Sequence, residues 1–124
     1  MELALRPLFT KLDGLTGVFV ASSDGAALLR AVPDGADVSA VDPRAVAAFA
    51  FACEQAKSID FGMLHTATAF YERSVLLHMS AGFEQSLVIT LAAKAGTDMT
   101  RMHALVPVLT ELFAGLSADG VVET

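Results

Sequence analysis

The chain has 124 residues, 54% of them apolar, and a formal net charge of −6. That is enough for one domain with a real core, and it excludes intrinsic disorder. The eight Lys and Arg are scattered rather than blocked, which argues against a nucleic-acid phosphate site and against direct docking on anionic lipid.

Leu5, Leu8, Phe9 and Leu12 have helical spacing, so a first short helix is expected before Gly14, with Pro7 tolerable only near its first turn. Gly17 to Ser22 reads as a strand. Ser23-Asp24-Gly25 is a hairpin turn signal, and Ala26 to Val32 is the return strand. A polar loop opens at Pro33-Asp34-Gly35-Ala36-Asp37. Asp42 is then a good N-cap, with Pro43 at the first helical position of a helix running to about Ser58.

That helix is apolar on two sides. Ala45, Val46, Ala48, Phe49, Ala52, Cys53 and Ala56 are assigned to one broad core face. At ~100° per residue Phe51 points roughly opposite to Phe49, in a second seam with Ala47, Glu54 and Ser58, flanked by Ala50. Small side chains around one large ring suit a close helix–helix contact. The first face is needed for the domain's own core, so the second suggests another protein.

Three strands are expected next, over Met63 to Tyr71, Ser74 to Ala81 and Ser86 to Ala93. The Glu72-Arg73 turn makes the first two antiparallel partners and sets Ala67 opposite His78. In the first, Leu64 and Phe70 are expected to oppose Met63, Ala67 and Tyr71. In the last, Leu87, Ile89 and Leu91 oppose Val88 and Ala92. A sheet apolar on both faces needs helices on both. Thr97 or Asp98 caps a last helix with the stripe Met102, Leu105, Val106, Leu109, Leu112, Phe113 and Leu116, and Pro107 should kink or break it near Ala104. The order is helix, two strands, helix, three strands, helix. This is an α+β domain in layers.

Little chemistry is visible. There is no Walker sequence, no G-x-G-x-x-G and no G-x-S-x-G elbow. His65 and His78 fall on one sheet face as diagonal neighbours, but no third ligand is placed for a metal, so they read as sheet-surface or wet-interface residues. His103 reads as the solvent edge of the last helix. Asp24, Asp34, Asp42 and Asp98 have turn or cap roles, leaving no carboxylate pair for acid–base work. Met63, Met79, Met99 and Met102 read as core filler, and Cys53, the only cysteine, as a small buried apolar residue. No cofactor, metal site or catalytic residue is assigned. No secretory signal, membrane span or lipidation motif is visible, so any membrane residence is expected to come through partners.

The element order, the Asp24-Gly25 hairpin and the alanine-rich middle helix resemble the Roadblock family of small dimerising, profilin/longin-like domains. Within it the chain looks most like the MEK-binding-partner scaffold subunits of the Ragulator complex. Leu12 with Gly17-Val18-Phe19-Val20-Ala21-Ser22 carries that likeness. So do Phe49-Ala50-Phe51-Ala52-Cys53-Glu54-Gln55, Leu105-Val106-Pro107-Val108-Leu109 and Glu111-Leu112-Phe113. The resemblance implies a five-stranded antiparallel sheet over residues 1–124, with the middle helix on one face and the terminal helices on the other. It implies pairing of two middle helices and of two third strands, edge to edge. The partner residues would be Ala47, Ala50, Phe51, Glu54 and Ser58 on the helix, with Met63, His65 and Ala67 on the strand. It further implies a non-catalytic scaffold that heterodimerises with a second Roadblock subunit. That complex would serve small GTPases, TOR and MAP-kinase signalling at late endosomes or lysosomes, anchored by a lipidated partner. The rival readings are a dynein light chain, a homodimeric regulator of a Ras-like GTPase, or a small enzyme or ligand sensor using His65, His78 and Tyr71.

Overall fold

A computed structural model describes residues 2–33 and 42–122. The polar loop with Asp34 lies outside them. The elements in order are α1 (Glu2–Leu5), α2 (Leu8–Lys11), β1 (Leu15–Ser22), β2 (Ala27–Ala31), α3 (Pro43–Ala56), β3 (Thr66–Phe70) and β4 (Ser74–Ala81). A 3-10 turn (Phe83–Gln85), β5 (Leu87–Lys94), α4 (Met99–Leu112) and α5 (Ala118–Val122) follow. The expected first helix is two short pieces. Pro7 has no N–H to donate, and the turn around it is held by the tighter bonds from Phe9 N to Arg6 O and from Thr10 N to Pro7 O.

The sheet is antiparallel throughout, in the order β2-β1-β5-β4-β3. Asp24 closes the β1–β2 hairpin by accepting the Ser22 hydroxyl and the Ala26 N–H. Ala67 lies opposite His78, the register set by the Glu72-Arg73 turn. One face carries the main core: Val18, Val20, Val75, Leu77, Met79, Leu87, Ile89 and Leu91 pack with Leu5, Leu8 and Leu12 and with Met102, Leu105, Leu109 and Phe113. The other face meets α3 through a smaller cluster of Ala21, Val46, Phe49 and Val88, joined by Cys53, Leu64 and Ala67. The terminal helices thus cover one side and the alanine-rich helix the other.

Several local expectations need correction. Ala48 is exposed: it lies about 160° around the helix from Val46, and the true core stripe is the narrow line Val46, Phe49, Cys53. Ser58 lies beyond the end of α3, where its hydroxyl donates to Gln55 O. β3 starts at Thr66, three residues later than expected. Residues 63–65 leave strict alternation, so Leu64 packs with the α3 cluster on the same side as Ala67. Asp98 rather than Thr97 caps α4, accepting from the Thr100 and Arg101 N–H groups. That helix runs unbroken through Pro107. Both Pro107 and His103 are exposed, so solvent can take the His103 carbonyl that lost its helical donor. The short α5 was not expected. It seats Val121 in the main core.

Candidate partner-binding face

The outer flank of α3 is built by the same periodicity that seats its inner face. Asp42 starts the helix by accepting the Arg44 N–H at 2.8 Å. The Arg44 guanidinium and that same N–H hold the Asp42 carboxyl down to about 2. With Val46 and Phe49 fixed on the sheet, Phe51 must project away from it, and it is 65% exposed. Ala47 and Glu54 are exposed beside it and Ala50 is half-buried. Glu54 is ion-paired with Lys57 at 3.1 Å, on the surface. This flank therefore presents a ring and small side chains, with its charge already neutralised.

Two further features adjoin the flank. β3 ends the sheet, and its five residues Thr66-Ala67-Thr68-Ala69-Phe70 include neither Lys nor Pro, the usual guards of an open edge. The opposite edge strand, β2, has α1 and α5 packed against it. A groove of about 810 Å³ runs between the C-terminal half of α3 and the 3-10 turn, lined in part by Ala50, Phe51, Met63, Leu64, Phe83 and Val88. Glu84 and Gln85 hold positive φ angles of 55° and 59°, a conformation that side chains disfavour, and they set Phe83 at the groove's lip.

The residues expected at the interface fall into three groups. Ala50, Phe51, Glu54 and Met63 line one groove. Ala47 and Ser58 are exposed near it, and His65 is exposed ahead of β3, its carbonyl accepting from Ser80 N. Ala67 turns its side chain to the α3 cluster, and the ladder alternation set by the Ser80 N–H to His65 O bond turns its backbone polar groups toward His78 of β4, so Ala67 offers a partner neither side chain nor edge backbone. Met63 is not core filler; it is 58% exposed. Sequence reading missed Ile59, Phe61 and Phe83, which are 54%, 90% and 57% exposed. Their signal was large apolar side chains lying between elements, where no periodicity assigns them a face.

The histidines separate. His78 is buried: its Nδ1 is 2.8 Å from the Thr90 hydroxyl, and its ring stacks on Phe49 with centroids 5.7 Å apart. It is therefore not a sheet-surface or wet-interface residue, because α3 seals it in. Burial holds its pKa below the usual histidine value. His65 and Tyr71 remain exposed. Among the described residues no three His, Cys, Asp or Glu are grouped to hold a metal. Cys53 is half-buried, with its sulfur 3.6 Å from the Ser80 hydroxyl.

A five-stranded antiparallel sheet with one central helix on one face and terminal helices on the other defines a Roadblock-type domain. The solved structures it resembles show this fold. The gliding protein MglB of Thermus thermophilus is 10% identical, with a TM-score of 0.65, covering 98% of this chain and 84% of that one. MglC of Myxococcus xanthus is 13% identical, with a TM-score of 0.65, covering 91% and 97%. A Roadblock/LC7 domain from Streptomyces avermitilis is 15% identical, with a TM-score of 0.58, covering 90% and 96%. No curated protein matches the sequence. The chain belongs to the family described as mitogen-activated protein kinase kinase 1 interacting, whose model matches residues 1–119. Family and fold together give it a signalling adaptor or scaffold role.

Proposed function

We propose that the chain is a non-catalytic scaffold subunit that pairs with a second domain of its own fold. The exposed ring of Phe51 on the outward flank of α3, beside an unguarded β3 edge, carries this reading. The flank would meet the equivalent helix of the partner, and the β3 edge its partner's third strand. The pair would then offer a composite surface to a MAP-kinase-pathway kinase, in keeping with the family's description. Membership of a Ragulator-like assembly, serving small GTPases and TOR signalling at late endosomes or lysosomes, is the finer form of the proposal. Among the described residues no helix is long and apolar enough to cross a membrane. In that finer form, membrane placement would come through a lipidated companion.

One experiment tests both levels. The tagged chain is pulled down from native extract, the co-purifying chains are identified, and the purified pair is sized by sedimentation. Recovery of a Roadblock-type partner in a one-to-one complex is the expected result. A chain that sediments as a monomer and recovers no such partner overturns the proposal. Recovery of a second copy alone gives a homodimer instead.

A further inference from the structure

The α3-facing side of the sheet carries one titratable group in the middle of its contact. A single row crosses the sheet as Ala67, His78, Thr90, Phe19 and Arg30. His78 lies under α3, where Phe49 stacks on its ring and the Thr90 hydroxyl takes its Nδ1. We infer that His78 makes the seating of α3, and with it the presentation of the partner face, sensitive to acid. The link to pairing rests on the reading of α3 as the partner helix.

Protonation would give the ring donors on both nitrogens and a charge in an apolar seat. Among the described residues, only Thr90 bonds it, and no carboxylate forms an ion pair with it. The face of Phe49 compensates part of a stacked cation's lost hydration but supplies no acceptor. Other titratable groups near this face stand at its margins. Lys94 ends β5, His65 and Tyr71 flank β3, and Arg30 ends the row on β2; all four are exposed. From α3 only Cys53 turns inward, while Arg44, Glu54 and Lys57 are exposed and engaged in surface ion pairs. β1 and the rest of β4 carry none. None of these neighbours therefore stabilises a charged His78 in place.

The sign follows from linkage. Burial lowers the native pKa below the unfolded value of 6.5, so the neutral form is the one that fits. Its contribution is complete above that value and is lost as pH falls below it. The seat to be lost is small, since Val46 and Phe49 are the only buried side chains of α3. The helix should thus release before the main core does.

Amide hydrogen exchange over residues 46–53, corrected for intrinsic rates, is measured between pH 7.5 and 5 together with pair affinity. The α3 opening constant should rise by up to about tenfold per pH unit below 6.5. Exchange in β5 and α4 should hold, and affinity should fall in parallel. His78→Gln, which keeps an amide for Thr90, should flatten the response. The titration of the His78 ring in the wild type, followed by NMR, serves even where that variant folds poorly. A native His78 that titrates at or above the free-histidine value, or α3 exchange that ignores pH, overturns the switch and leaves pairing untouched. Release of α3 with unchanged affinity upholds the switch and refutes the reading of α3 as partner face.

Discussion

Replacing Phe51 is the sharpest test of the pairing reading, because Phe51 does little for the monomer. Complete burial of a phenylalanine side chain contributes ~1.5–3 kcal/mol relative to exposure. Phe51 is 65% exposed, so about two-thirds of that remains to be gained at an interface. Phe51→Ala should therefore cost ~1–2 kcal/mol of association, roughly a 5–30-fold weaker pair. Phe51→Asp adds the desolvation of a carboxylate at the seam and should weaken pairing by ~100-fold or more. The folded monomer should be nearly indifferent, changing by less than ~0.5 kcal/mol, as for other surface substitutions. Sedimentation equilibrium reads the affinity, and urea unfolding under dissociating conditions reads the stability. Normal pairing by Phe51→Asp would refute the reasoning. So would a loss of monomer stability equal to the loss of affinity, since it would place Phe51 in the core.

Phe49→Ala should behave in the opposite way, losing ~3–5 kcal/mol of stability by urea unfolding because Phe49 is 3% exposed and anchors the smaller cluster. Asp98→Ala should cost α4 about 1 kcal/mol by removing the acceptor for two backbone N–H groups, read as a lower thermal midpoint. Gly82→Ala should fold poorly and express as aggregate, because a Cβ there would lie 2.6 Å from the Leu116 carbonyl at a φ of +81°. The Asp42 carboxyl sits near 2 in the native state against 3.8 when unrestrained. Its contribution to the start of α3 should persist above that upper value and fade as pH falls toward 2. Circular dichroism of Asp42→Asn, which retains an N-cap acceptor, should show a weaker acid response in that window.

The parts of the fold that strict alternation and turn chemistry determine were legible in the chain. The Asp24-Gly25 hairpin, the pairing of Ala67 with His78 and the two-sided β5 all follow from local rules that tertiary contacts did not override. The failures lie where those rules lapse. Ala48 was misplaced because small residues occur all round α3, so composition does not mark the stripe and only the angle from Val46 does. Leu64 changed sides because the chain does not enter the sheet until Thr66. α5 is too short for a periodic signal, and Val121 marks its buried side. Pro107 was weighed for its lost hydrogen bond without the solvent that replaces it. Of the candidate site, the outward projection of Phe51 was readable from angle alone, whereas the exposure of Phe61 and Phe83 was not, because no periodicity assigns them a face.

The unequal division of the core bears on how pairing and folding relate. Among the described residues, twenty buried side chains form the cluster under the terminal helices, and four form the cluster under α3. Helix α3 buries only Val46 and Phe49 fully in its seat, with Cys53 half-buried beside them, while leaving Phe51 outside. An isolated helix of 14 residues is marginal in water, so α3 depends on what it touches. A partner that covers Phe51 would supply burial comparable to that of one of the two inner anchors. Pairing should then stabilise α3 selectively, and hydrogen exchange over residues 46–53 should slow with protein concentration while exchange in β5 does not. If the two regions slow together, α3 and the main core unfold as one unit. Pairing would then stabilise the whole domain rather than complete a weakly seated helix.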